Sequence, residues 1–323
     1  ICALVCIWFA LADYTKRTTT TFDWIGFIAL SVAIVSAQLI FDRGHRLDWF
    51  DSREIIACAF VGGLAFWVFV AHCLTADQPF LNPRLLLDRN FTVGITIAFV
   101  MGMLSFTSLV LFPSLLHDLR GYPDNVIGTL IAARGMGNWT AFLFIVQLTR
   151  IAPRFAIAAG LAIQAGSGFW TETFDINMTE HDVFWSNYLQ GLGQSVTFTP
   201  MTVMAFATLP PHQITEGSAV FTLMRNFGSS LFISLSVLVL VRSTSINYSR
   251  LTELITPYTA AGGFTPLPAS WNVETVSGMM RLSNELQRQA AMIGYINAFY
   301  MLAFTAAAAV PLAVLMRHAP KAR

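Results

Sequence analysis

Apolar runs closed off by polar stretches recur along the chain at about 24–41, 55–74, 91–116, 126–148, 155–170, 184–209, 219–241 and 291–316. A hydrocarbon core of roughly 30 Å takes about 20 helical residues to cross. Backbone polar groups left unpaired in lipid cost several kcal/mol each, so runs this long and this uniformly apolar predict membrane-spanning helices. A shorter run, ICALVCIWFALA, opens the chain at Ile1. It is too short to span and lacks the charged start and small-residue cleavage site of a signal peptide. It is expected to be the end of a helix whose beginning precedes Ile1, which makes about nine crossings in all.

Composition supports the pattern. The chain is 55% hydrophobic and 11% charged, with a mean hydropathy of +0.61, where a soluble domain carries about a quarter charged residues. A soluble globule is excluded, and the fold class expected is an all-α polytopic membrane protein. The 27 phenylalanines and 8 tryptophans suit helices facing lipid. A net charge of +1 gives no case for nucleic acid. Cys2, Cys6, Cys58 and Cys73 lie in or beside apolar runs with no C-x-x-C pair, and the six histidines are scattered singly. Neither a metal centre nor a nucleophile-base pair is indicated, no cofactor is implied, and the clustered His, Asp, Glu or Ser of an intramembrane enzyme is missing.

Counting cations in short loops sets an orientation. If the loop after the opening run is cytoplasmic, Lys16, Arg17, Arg84, Arg89, Arg150, Arg154 and the tail residues Arg317, Lys321 and Arg323 fall inside. Arg43, Arg46, Arg53 and Arg120 then fall outside, and the C-terminus is cytoplasmic. The polar stretch of about 242–289 is expected as a long outside loop, its amphipathic part, VETVSGMMRLSNELQRQAAM, leading into the last span.

Two arginines interrupt the spans, Arg134 in TLIAARGMGNW and Arg225 in FTLMRNFGSS. A charge at the bilayer centre costs about 2.5 kcal/mol or more on insertion scales, so it faces a bundle interior or a wet cavity. Each is a candidate for meeting substrate or a carboxylate, or a structural arginine held by backbone carbonyls. Asn138, Gln164, Gln190, Gln194 and Asn226 are candidates for lining a cavity or for pairing helices. Gly135, Gly137, Gly191, Gly193 and Gly228, with Gly166 and Gly168, are candidates for close helix approach. Pro113 and Pro200 are expected to kink or end helices. No Asp or Glu stands in the middle of a span; Glu54 and Glu216 lie at span ends, where solvation is the simpler reading.

Five phrases occur in an order that resembles the fourteen-helix drug:proton antiporters of the major facilitator superfamily, the EmrB/QacA type. They are DRGHRLDWFDS, NPRLLLDRNF, ARGMG, LPPHQITEGSAVFTLMRNFGSS and LQRQAAMIGYINAFY. The resemblance implies that residues 1–13 end the last helix of an N-terminal half, that 14–89 form a linker with an inserted two-helix hairpin, and that 90–323 form the C-terminal six-helix bundle. It implies proton-coupled export of drugs or other amphipathic compounds by alternating access, or export of one dedicated metabolite such as a siderophore, antibiotic or amino acid. The partners it implies are the lipid bilayer of an inner (plasma) membrane, a small-molecule substrate, protons and a periplasmic membrane-fusion adaptor protein. Arg134 and Arg225 match positions where that family often has arginine. The loop QLTRIAPRF keeps Arg150 and Arg154 but lacks the glycine and acid of the fuller basic motif. The proton-carrying acid and the Gly/Pro-rich antiporter motif are expected upstream of Ile1.

Overall fold

Each of the eight long apolar runs is an α-helix in the computed structural model, which describes residues 23–44, 47–76, 80–253, 255 and 275–316. In chain order these are α1 (Trp24–Gly44), α2 (Arg53–Thr75), α3 (Arg89–Arg120), α4 (Asp124–Ile151), α5 (Pro153–Glu172), α6 (Glu180–Phe206), α7 (Ile214–Glu253) and α8 (Val276–Ala309), followed by a single turn, α9 (Leu312–Leu315). No strand occurs among the described residues. The opening run at 1–13, Cys2, Cys6, Lys16, Arg17, Arg46 and the tail cations lie outside the described residues.

The chain is an all-α, multi-pass membrane protein. Six of the helices are long and apolar enough to cross a bilayer: α1, α2, α3, α4, α7 and α8 with its final turn. The other two, α5 and α6, are of spanning length, at 20 and 27 residues, but more polar. Their polar side chains face inward: Gln164, Ser167, Ser186, Asn187, Gln190 and Thr197 are all buried. Their inner faces pack on protein, where apolarity is not required, while Phe155, Phe169, Trp185 and Val203 face outward.

The helices α3 to α8 pack as one bundle in which α4 lies on α6, α6 on α5, α3 on α7, and α8 on both α7 and α5. Its core runs through Phe91, Ile97, Met101, Leu111, Phe112 and Leu115 of α3 to Phe299 and Leu302 of α8, with the Phe112 and Phe299 rings 4.7 Å apart. The pair α1 and α2 packs mainly on itself and reaches the bundle through α7. Its outward side chains, among them Ile28, Phe60, Leu64 and Trp67, are exposed apolar groups of the kind lipid solvates.

Local sequence sets the helix ends. Asp88 caps α3 by accepting from the Phe91 amide at 2.8 Å, and Gly121, at φ 64°, closes it in the left-handed conformation that glycine adopts without strain. Thr179 and Asp182 form a reciprocal capping box at the start of α6. Pro113 and Pro200 end neither helix: α3 continues to Arg120 and α6 to Phe206.

The stretch expected as a loop at 242–289 is largely helical. Helix α7 runs on to Glu253 and α8 begins at Val276, so the described helices leave only 254–275 between them. Forty residues at 1.5 Å each make α7 about 60 Å long, twice the hydrocarbon thickness. The excess is polar but self-paired. Asn297 donates to Ser243 Oγ at 2.6 Å, Tyr248 and Ser283 share a 2.9 Å hydrogen bond, and Gly294 lets α8 close on Leu240 and Thr244. The part from Val276 is the expected lead-in to the last span; the departure is at 242–253, where polar composition fits a helix bonded to its neighbour beyond the lipid as well as it fits a loop.

At the opposite end, the linker between α2 and α3 is pinned to both parts. Asp23 accepts from the Gly26 amide at 3.0 Å, the Phe80 amide at 2.8 Å and His72 Nε2 at 2.9 Å. The Asn82 amide donates to Glu216 at the start of α7, so Glu216 is engaged by backbone, while Glu54 is exposed and paired with Arg43 at 2.6 Å. Burial pushes the Asp23 carboxyl up, but the two amides and His72 together outweigh it and hold the group below its ordinary 3.8. A depressed carboxyl stabilises the fold fully above pH 3.8, and the contribution is lost as pH falls through the lowered folded value. Asp23→Ala is therefore expected to speed hydrogen exchange at the Gly26 and Phe80 amides by about tenfold at neutral pH, in line with one net hydrogen bond to a charged group. Acidification below the lowered value is expected to do the same to the unmodified chain but not to the variant.

Candidate functional site

The polar candidates converge first on the seam between α4 and α6. Two glycines bring these helices into backbone contact: a Cβ on Gly137 would strike the Tyr188 carbonyl, and one on Gly191 the Arg134 carbonyl. With the helices this close, side chains on α4 reach partners on α6 directly. Arg134 Nε and Nη2 donate to Gln194 Oε1 at 3.2 and 3.1 Å. Two turns of the seam follow, with Ser195 Oγ donating to Asn138 Oδ1 at 2.9 Å and Thr140 Oγ1 within 2.9 Å of the Tyr188 hydroxyl.

Arg134 is 5% exposed, and its Nη1 has no hydrogen-bond partner among the described residues. None of the ion pairs formed among the described residues includes it. A guanidinium held in a bundle by one neutral amide oxygen is an incompletely compensated buried charge, and such a charge attracts any anion that can approach it.

A second cluster lies one helix further in. Gln164 on α5 donates through Nε2 to Thr197 Oγ1 at 3.4 Å and sits 3.5 Å from Met101 Sδ. Gln190 faces the same pocket with its Oε1 unpartnered among the described residues. The void they share with Ser108 and Leu104 is about 10 Å³, roughly the volume one water centre needs. Gly193 packs on Gly160 and Gln164 here, setting the close approach of α5 and α6.

Arg225 belongs elsewhere, to the crossing of α3 and α7. There a Cβ on Gly102 would collide with the Arg225 carbonyl and one on Gly228 with the Phe99 carbonyl. The Arg225 side chain is half-buried, its guanidinium 5.7 Å above the Phe198 ring, and its Nε has no partner among the described residues. Asn226 is exposed and lines a groove of about 520 Å³ with Gln38, Ser218 and Thr222.

The structure thus joins Arg134, Asn138 and Gln194 in one seam and Gln164 with Gln190 in another, and leaves Arg225 and Asn226 on α7 apart from both. Gly137, Gly191, Gly193 and Gly228 each stand at a helix contact, whereas Gly135 and Gly166 have nothing within 4 Å of a Cβ. Gly135 faces away from the crossing that Gly137, two residues on, makes. Sequence reading missed Ser195, Tyr188 and Thr140 as seam partners. A signal was available in α6, where Asn187, Gln190 and Gln194 recur at helical spacing on an inward stripe. It also missed Gly102, Gly160 and Gly294, lone glycines in apolar runs with nothing local to mark them. Among the described residues no cluster of His, Cys, Asp and Glu is arranged to hold a metal ion.

No family model matches the chain. It is similar to the Multidrug export protein EmrB of Escherichia coli (strain K12), 28% identical over 253 residues that cover 76% of this chain and 48% of that protein. The Haemophilus influenzae protein of the same name is 28% identical over 291 residues, covering 87% of this chain and 56% of its own length. The Fatty acid resistance protein FarB of Neisseria gonorrhoeae is 29% identical over 249 residues, 76% of this chain and 48% of that protein. The chain spans about half the length of these curated relatives.

Proposed function

We propose, on the premise that the chain is a homologue of the EmrB-type multidrug export proteins, that it is the C-terminal portion of a proton-coupled exporter of drugs or other amphipathic compounds. The observation that carries the reading is the buried Arg134 with its seam of Gln194, Asn138 and Ser195 at membrane depth. Amide and hydroxyl pairs of this kind also join membrane helices, but a guanidinium buried at membrane depth points to a solute or ion pathway. In this reading α4, α6 and α7 line the path, Arg225 and Asn226 meet the solute where it is accessible, and Arg134 fixes the potential from behind. Alternating access then moves this bundle against a second one. The protein sits in the inner membrane with the ends bearing Arg84, Arg89, Arg150 and Arg154 on the cytoplasmic side, following the cation excess. A periplasmic adaptor completes the route in this scheme.

The test is transport by the complete gene product in a host stripped of its own efflux pumps. Several structurally unrelated lipophilic dyes are expected to leave the cells, and collapse of the proton gradient is expected to stop them. Efflux that persists without the gradient would remove proton coupling. The relative named for fatty acid resistance favours, as a second reading, export of one dedicated compound class; efflux of a single class in the same assay would select it.

A further inference from the structure

A cleft of about 710 Å³ separates the hairpin of α1 and α2 from the bundle. Its walls are Leu30 and Ile34 of α1, Phe66 and Val70 of α2, Ile95 of α3 and Phe227 of α7. No side chain that lines it carries a nitrogen or oxygen. Water would find no partner in it, and an empty void of that size is foreign to close-packed interiors. Among the described residues nothing fills it: Ala37, Ala59 and Gly63 line it with little bulk, and nothing stands within 4 Å of a Cβ on Gly63, whereas Gly62 is where α2 closes on Ser36 of α1. The hairpin packs through Ala29, Leu30, Phe69 and Cys73 on Phe80 and Leu81 of the linker and on Leu223 of α7.

We infer that this cleft is a built binding site for a bilayer phospholipid, whose acyl chain fills the gap and joins hairpin to bundle. The cleft lies between helices of membrane-spanning length and composition, so lipid is the solvent at its opening. At the linker end it is lined by Leu81, Pro83 and Leu86. Leu86 and Leu87 are exposed at that end, and Trp24 is exposed at the same end of α1, an arrangement that places the linker at headgroup depth. The carboxylates there are engaged, Asp23 by the Gly26 and Phe80 amides, Glu216 by the Asn82 amide and Asp88 by the Phe91 amide. Arg89 donates to the Leu315 carbonyl. Arg84 is exposed and makes no ion pair among the described residues, which leaves its guanidinium to meet a phosphate. The inference rests on the membrane reading and is independent of export.

The experiment uses the full chain in vesicles of phosphatidylcholine containing a diazirine-bearing phosphatidylcholine, with adducts mapped by peptide mass spectrometry after illumination. Adducts are expected on the cleft residues Ala37, Val70 and Phe227 at least as densely as on the outward-facing Phe60 and Leu64. Gly63→Phe, which fills the cleft floor, is expected to cut the cleft adducts at least fivefold and leave the outward ones unchanged. Native mass spectrometry of the unmodified protein in mild detergent is expected to retain one phospholipid that Arg84→Gln loses. Adducts confined to Phe60 and Leu64 would overturn the inference. So would cleft residues that carry no lipid and cross-link to a second copy of the chain.

Discussion

Gly191→Leu is expected to remove most of the folded protein from the membrane, while Gly135→Leu, at the residue next to Arg134 on α4, is expected to leave it unchanged. The difference comes from where each points. A Cβ on Gly191 would stand inside contact distance of the Arg134 carbonyl oxygen and 3.0 Å from its Cα, so leucine must drive α4 and α6 apart over several turns. That separation would also break the Arg134–Gln194, Asn138–Ser195 and Thr140–Tyr188 hydrogen bonds together. Overpacking alone costs about 1–3 kcal/mol, and stranded polar groups at the seam add about 1–3 kcal/mol each. A membrane protein of ordinary marginal stability does not survive that sum. Gly135 has open space before it, so its substitution is expected to stay within about 0.5 kcal/mol. Thermal unfolding in detergent, read by fluorescence-detected size exclusion, separates the two. Equal melting of both variants would mean that α4 and α6 are not in backbone contact.

Arg225→Ala is expected to lower efflux of every substrate at least tenfold, the equivalent of about 1.4 kcal/mol, while expression and melting hold. Its guanidinium is half-buried, pairs with no carboxylate among the described residues and touches the face of Phe198, so little of the fold depends on it. What it contributes is positive charge beside the exposed Asn226. Arg225→Lys keeps the charge but not the planar contact with the ring, and is expected to retain partial transport. Ordinary drug resistance in the alanine variant would take Arg225 out of the transport path. A variant that melts early would assign it to structure.

The helices themselves were legible because the bilayer enforces one rule on every residue that touches it. Runs such as 91–116 and 126–148 read as spans from apolarity alone, and the helices found extend them only by a turn or so into the polar flanks. Where protein rather than lipid packs a helix face, that rule lapses on that face, and α6, legible as the run at 184–209, hides Asn187, Gln190 and Thr197 on its inner side. The extension of α7 to Glu253 escaped for the opposite reason, since beyond the lipid a paired polar helix and a loop have the same composition. Arg134 and Gln194 could be nominated singly, as costly groups at membrane depth. Their pairing could not, because residues 60 apart meet only through the crossing at Gly137 and Gly191, and the geometry of a helix crossing leaves no local trace in sequence.

Both intramembrane arginines stand where a neighbouring glycine presses on their own carbonyl, Gly191 on Arg134 and Gly102 on Arg225. Helices so interlocked cannot slip along each other without lifting apart first, since each glycine notch accepts one backbone oxygen and the next residue offers a side chain. Two closely interlocked helix pairs result, α4 with α6 and α3 with α7, each carrying one intramembrane arginine, while α6 is held as closely to α5 through Gly193 and Gly160. A change of tilt between the two pairs would register directly as a change in the distance between their two positive charges.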